Sequence, residues 1–208
     1  MMEAPLRIAA LLSGGGRTLM NIADEIDAGT LNAEVVLVIA SREKIAGVER
    51  ARARGFDVRI ARRRDFETDN ALHDAITRWM LEKDVQLVCL CGYLRWLRID
   101  EPFKGRVINI HPALLPEFGG KGMYGEHVHR AVLETGRTAS GCTVHFVDEQ
   151  YDHGPTIVQR TCPVRPDDTV DTLAARVFEQ ECIAYPEAIR LFAGGRARLV
   201  AGRAEISR

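Results

Sequence analysis

No stretch of the chain approaches the roughly 18 consecutive apolar residues of a membrane span, so a membrane-crossing protein is not expected. The opening Met1-Met2-Glu3-Ala4-Pro5 lacks the basic and apolar regions of a secretory signal. An excess of one charge is missing too. The 28 Lys and Arg against 29 Asp and Glu leave a formal net charge of -1, so neither nucleic acid nor a membrane surface is favoured as a partner. The basic clusters Arg62-Arg63-Arg64 and Arg50-Ala51-Arg52-Ala53-Arg54 read as solvated surface. Cysteine is scarce: Cys89, Cys91, Cys142, Cys162 and Cys182 are odd in number and match no common zinc spacing. Cys89 and Cys91 fall in an apolar run, where cysteine acts as a small hydrophobe, and a reducing cytoplasm is expected. Repeats, low-complexity segments and linkers are also absent.

What is present is alternation. Ile8 to Leu12 is continuously apolar, as in a parallel strand buried on both faces. Ser13-Gly14-Gly15-Gly16-Arg17-Thr18 follows, and then Leu19, Met20, Ile22, Ala23 and Ile26 keep helical spacing up to Gly29. Ala33–Ala40 reads as a second strand, Val48–Arg54 as a helix, and Phe56–Ile60 as a strand nearer an edge. Leu72, Ile76, Trp79 and Met80 mark a helix ending near Lys83, and His73 beside Leu72 reads as surface. Val85–Cys91 and Arg106–Ile110 are further strands. Alternating strands and helices over 208 residues predict an α/β fold: a doubly wound, mostly parallel central sheet flanked by helices. Near the C-terminal third, Gly141–Val147 and Thr156–Arg160 predict an antiparallel excursion around the turn Asp148–Pro155. Asp168 or Thr169 caps a long helix with an apolar stripe of Val170, Leu173, Ala174, Val177, Ala184 and Ala188, which Pro186 should kink or end. Arg198-Leu199-Val200 reads as a final edge strand.

Four features carry chemistry. In Val107-Ile108-Asn109-Ile110-His111-Pro112, strand alternation points Asn109 and His111 the same way, and proline then stops the strand. Ligands of open α/β sheets sit outside the carboxyl ends of strands, which makes this pair the candidate centre. The loop Ser13–Thr18 links a strand to a helix, where glycines and amide groups receive an anion. It is neither Gly-x-Gly-x-x-Gly, since Leu19 takes the last position, nor a P-loop, so a single phosphate or an unliganded tight turn are its two readings. Gly92-Tyr93-Leu94-Arg95-Trp96-Leu97 is either ordinary loop packing or the wall of a pocket for a flat organic ligand. Glu181 falls on the apolar stripe, where a carboxylate needs a cationic ligand group or an arginine. Asp152 stands in a Gly-Pro turn whose chemistry aspartate favours anyway. The glycines of Gly119–Gly125 give a loop the freedom of a lid, and His127 and His129 diverge on a helix and make no metal pair.

Ser13-Gly14-Gly15-Gly16, Gly92-Tyr93-Leu94-Arg95, Asn109-Ile110-His111-Pro112-Ala113-Leu114-Leu115-Pro116, Thr143-Val144-His145-Phe146-Val147, Asp152-His153-Gly154-Pro155 and Glu179-Gln180-Glu181 together resemble the phosphoribosylglycinamide formyltransferases, folate-dependent enzymes of purine biosynthesis. The resemblance runs from Ile8 to about Leu199. It implies a Rossmann-like formyltransferase fold in a single domain over 1–208, with a phosphate-binding half at 1–105 and a catalytic and folate-binding half at 106–208. It implies formyl transfer from 10-formyltetrahydrofolate, a cosubstrate, to glycinamide ribonucleotide, with no metal, in a cytoplasmic monomer or homodimer. By the same resemblance Asn109 and His111 stabilise an oxyanion and Asp152 holds the histidine protonated. Gly16, Arg17, Thr18 and Glu181 bind the ribonucleotide; Leu94, Arg95, Trp96, Leu97 and Val147 bind the folate. Arg17 and Thr18 stand where many relatives have Ser and Asn, and the Gly119–Gly125 loop is longer than the family's pattern. A tRNA-directed relative is expected to continue past Arg208 and a hydrolase relative to carry a domain before Ile8, so the length is read as favouring the ribonucleotide enzyme over these and over a non-catalytic nucleotide-binding protein.

Overall fold

The computed structural model describes residues 4–207, so Met1, Met2, Glu3 and Arg208, on which the absence of a leader and of a further domain were read, lie outside the described residues. The chain divides into two compact units at Ile108/Asn109. The first unit holds β1 (Leu6–Leu12), α1 (Arg17–Asp27), β2 (Ala33–Ala40), α2 (Ala46–Ala53), β3 (Val58–Ile60), α3 (Asp69–Glu82) and β4 (Leu87–Leu90). The division falls inside β5 (Val107–His111), and the second unit continues with α4 (Glu126–Glu134), β6 (Ala139–Phe146), β7 (Thr156–Pro163), α5 (Val170–Ala193), β8 (Ala197–Val200) and β9 (Arg203–Ile206).

The strand order is β3-β2-β1-β4-β5-β6-β7, with β8-β9 a separate two-stranded sheet. β1 pairs in parallel with β2 and β4, β2 in parallel with β3, and β6 antiparallel with β7. This is the expected doubly wound, mostly parallel α/β sheet with its antiparallel excursion. Ile8 through Leu12 and Leu37 through Ala40 have no exposed surface, which is why both runs read as continuously apolar. The loop after β1 is locked by close backbone packing. Gly16 caps α1 in the left-handed region at φ 73°, and a Cβ on Gly47 of α2 would fall 2.6 Å from Gly14 O and 2.8 Å from Leu12 Cδ1. The Gly47 N–H donates to Gly14 O at 3.1 Å, and Arg50 Nη1 donates to Gly15 O at 2.7 Å. Ser13 Oγ accepts from both Ser41 Oγ at 2.7 Å and the Leu94 N–H at 3.0 Å.

Three expectations are corrected. His73 is buried, not surface: it faces away from solvent on α3, edge-on to the Trp96 ring. α5 neither ends at Pro186 nor restarts; it runs unbroken to Ala193. Proline forfeits one amide bond there, but its neighbours Ala184, Tyr185, Ala188 and Ile189 are all fully buried, and that burial outweighs it. Arg198–Val200 is no edge of the main sheet, because β8 pairs with β9, a strand the sequence reading did not separate out. The capping choice is resolved in favour of Thr169, which forms a reciprocal capping box with Thr172, while Asp168 instead pairs with Arg176 at 2.6 Å. The basic clusters are indeed surface: Arg54 pairs with Asp24 and Asp27, and Arg62 with Glu43 and Asp65. All five cysteines are free thiols. No described helix is long and apolar enough to cross a membrane.

Two stability measurements check this packing. Gly47→Ala should cost about 1–3 kcal/mol in urea denaturation, since the new methyl meets backbone on one side and a packed leucine on the other. The Arg176 guanidinium holds the Asp168 carboxyl well below the ordinary carboxylate range. A depressed carboxylate adds stability above its unfolded pKa and loses it as pH falls through the folded value. Thermal midpoints of wild type and Asp168→Asn should therefore differ at neutral pH and converge as pH drops below about 4.

Candidate active site

β5 brings Asn109 and His111 to one face, as strand alternation requires, and β6 adds His145. Asp152, in the turn between β6 and β7, adopts a positive φ of 53°, a backbone region that aspartate tolerates better than most residues. Its carboxylate is the hub of the cluster. Oδ2 accepts from the Gly120 N–H at 3.0 Å and lies 3.4 Å from His111 Nδ1. Oδ1 accepts from Asn109 Nδ2 at 3.4 Å and lies 3.7 Å from His145 Nε2.

The tautomers follow from the acceptors. His145 Nδ1 sits 2.7 Å from the Phe146 carbonyl, so it carries the proton and donates there. Its Nε2 then accepts from Asn109 Nδ2 at 3.2 Å. His111 Nε2 donates in the same way to the Phe118 carbonyl at 2.7 Å, which leaves Nδ1 facing the carboxylate. Asn109 Nδ2 thus serves two acceptors, and the longer bond, to Asp152, is the weaker.

Burial pushes the Asp152 carboxyl up, yet the neighbouring His145 and His111 rings and the Gly120 amide together take it below its ordinary value. It is ionised at neutral pH. His111 goes against expectation. Burial lowers its pKa, and neither Asp152 nor the Phe118 carbonyl, which raise it, overcomes that, while His145 lowers it further. Only 3% of His111 is exposed, so the imidazolium loses most of its hydration. In this arrangement Asp152 does not hold the ring protonated; it stands ready to receive an N–H from Nδ1 when the ring takes up a proton.

The turn that follows His111 is fixed by one hydroxyl. Thr143 Oγ1, fully buried on β6, donates to Ala113 O at 2.7 Å and accepts from the Leu115 N–H and from Gln159 Nε2, each at 3.0 Å.

The other expected residues fall as follows. Gly16 is buried at the head of α1, Arg17 is exposed and Thr18 half-buried. Leu94, Arg95 and Trp96 are exposed, whereas Leu97 is buried; Val147 is half-buried just past β6. Glu181 is half-exposed on α5, near enough to the buried Cys142 to join burial in pushing that thiol up to about 12. His127 is exposed and His129 buried, so the two histidines of α4 do diverge. The residue the sequence reading missed is His145. Its signal was available: Thr143 and His145 are polar at alternate positions of β6, between apolar Cys142, Val144 and Phe146, and both are buried.

The family model for formyl transferases matches residues 6–189. The trifunctional purine biosynthetic protein adenosine-3 of Drosophila pseudoobscura pseudoobscura is 39% identical over 93% of this chain, which spans 14% of that protein's length. The chloroplastic phosphoribosylglycinamide formyltransferase of Arabidopsis thaliana is 39% identical over 88% of this chain and 64% of its own length. The chain therefore spans less than two thirds of either relative. Among solved structures, glycinamide ribonucleotide transformylase 1 from Symbiobacterium toebii superposes with a TM-score of 0.90 at 38% identity, covering 100% of this chain and 96% of that one.

His145→Leu leaves Asn109 Nδ2 without its closer acceptor and the Phe146 carbonyl without the Nδ1–H donor. It should lower stability by about 1–3 kcal/mol, read from the urea midpoint.

Proposed function

The chain belongs to the formyl transferase family, and from that premise we propose that it transfers a formyl group from 10-formyltetrahydrofolate to the amine of glycinamide ribonucleotide, in de novo purine biosynthesis. The full-length likeness to a solved glycinamide ribonucleotide transformylase is the observation that carries the choice of substrates. On this reading one formyltransferase domain supplies the phosphate loop from residues 1–105 and the catalytic strand from residues 106–208. It works in the cytoplasm, as a monomer or homodimer, without metal, nucleic acid or membrane.

The amine lone pair attacks the formyl carbon, and the carbonyl electron pair moves onto oxygen. The tetrahedral intermediate collapses by expelling the folate nitrogen, which leaves with a proton equivalent to the one the amine gives up. Stabilising the oxyanion requires donors aimed where charge develops. His111 Nε2–H already points at an acceptor, the Phe118 carbonyl, and exchanges it for the oxyanion. Asn109 Nδ2 releases its longer bond, to Asp152, for the same purpose. The proton given up by the amine is held by the ring until it leaves with the folate nitrogen; while it is held Nδ1 is a donor to Asp152 Oδ2, so the carboxylate stabilises imidazolium when negative charge sits on the substrate oxygen. The amide groups of the Gly14–Gly16 loop, with Arg17 and Thr18, receive the ribonucleotide phosphate. Glu181, half-exposed on α5, accepts hydrogen bonds from the same ligand. Leu94, Arg95, Trp96, Leu97 and Val147 take the folate.

Transfer from 10-formyl-dideazafolate to glycinamide ribonucleotide, followed by absorbance, tests the assignment. Tight nucleotide binding without turnover would refute it. Within the active enzyme, Asp152→Asn should lower kcat far more than it raises either KM, because its charge acts in the transition state. His111→Asn should fold normally and lose about 10²–10³ in kcat, as expected for one oxyanion donor. A folded His111→Asn protein with near-normal kcat would remove the histidine from the mechanism.

A further inference from the structure

α3 grips the segment after β4 from beneath. His73 is only 6% exposed, yet the Trp96 ring it meets edge-on, at 5.3 Å and 89°, is 44% exposed. The Arg98 N–H donates to His73 Nδ1 at 3.4 Å, which requires the proton on Nε2. The Arg98 side chain is itself tied down: Nε donates to Asp100 Oδ1 at 2.8 Å, and Nη2 pairs with Asp74 of α3. Thr77 Oγ1 of α3 closes the set by donating to Asp100 Oδ2 at 2.6 Å. At the other end the Leu94 N–H is held by Ser13 Oγ. A segment pinned at Leu94 and Arg98 presents two large apolar side chains, Leu94 and Trp96, to solvent. Exposed apolar groups that are held rigidly, rather than folded under, suit a flat ligand.

We propose that His73 is a positioning residue for the formyl donor, supporting Trp96 and the Arg98 backbone so that 94–97 keeps a preformed face for the donor's ring system. This rests on the reading of Leu94–Leu97 as the donor's pocket wall. The support works only while the imidazole is neutral. A second ring proton would occupy the Nδ1 lone pair and set an imidazolium beside Arg98. Asp69 and Asp74 on α3 and Asp100 beyond Arg98 favour that proton; burial and Arg98 oppose it and prevail, so it binds below the ordinary histidine range. The rest of the donor's site is untouched by this change, so the effect belongs in the donor's KM and not in kcat.

The test is steady-state kinetics with 10-formyl-dideazafolate and glycinamide ribonucleotide on wild type, His73→Leu and His73→Gln. His73→Leu removes the acceptor and should raise the donor's KM about tenfold, with kcat and the ribonucleotide's KM unchanged. His73→Gln, which keeps an acceptor, should recover part of that loss. The wild-type donor KM should also rise as pH falls below about 6.5, while that of His73→Leu stays flat. An unchanged donor KM in folded His73→Leu, or superimposable pH profiles, would overturn the proposal. Should His73→Leu fail to fold, Trp96 fluorescence in a Trp79→Phe background decides instead. Protonating His73 should quench Trp96 with a midpoint below about 6.5, and a flat titration rejects the clamp. Absence of any formyl transfer would sink the functional reading alone, because the fluorescence titration judges the clamp independently.

Discussion

A half-buried carboxylate that stays ionised organises the candidate site of this protein. Taking Asp152 out of water is unfavourable, and the surroundings answer with two donors, the Gly120 N–H and Asn109 Nδ2, and with two imidazoles within reach of the carboxylate. Each of those groups is oriented as a result. His145 is fixed by the Phe146 carbonyl and passes its free lone pair to Asn109, and Asn109 bridges to the carboxylate. His111 is left with its donor on the opposite side, toward Phe118. The direction in which the histidine can donate is thus set by the carboxylate behind it and the carbonyl in front of it.

The resting charge of His111 shows how burial and charge pairing compete. From the sequence, an aspartate near a histidine argues for a protonated ring, because an opposite charge favours the charged form. What the residue list does not show is depth. With almost no exposed surface, the ring forfeits hydration that one carboxylate at 3.4 Å does not replace. A ring that is neutral at rest and charged in passing is better suited to moving a proton than one permanently charged.

How much was legible in the sequence depended on whether a residue's role was set locally. Ala33–Ala40 was read to the residue, and Gly29 marked a helix end, because burial on both faces and left-handed glycine leave local traces. The pairing of Asn109 with His111 was legible because alternation alone puts them together. Pro186 misled because its cost is local while the packing that outweighs it is not. His73 misled because its cover is a loop more than twenty residues further on, and His145 was quoted but given no role because its partners Asn109 and Asp152 lie on other segments. β8 and β9 were incompletely read because four-residue strands leave too short a pattern.

Ser13 Oγ is the single acceptor shared by Ser41 and the Leu94 amide, and it stands at the entrance of the Gly14–Gly16 loop. Two segments with different proposed ligands therefore meet at Ser13, whose own N–H also donates to Gly92 O at 3.0 Å. Linked equilibria are reciprocal: whatever free energy an anion at the glycine loop lends to the order of 94–97, a ring system seated on 94–97 returns to the glycine loop in equal measure. Such a joint carries no thermodynamic arrow. Any preferred order in which two ligands arrive at this unit has to come from their rates of access and not from the hydroxyl that joins their sites.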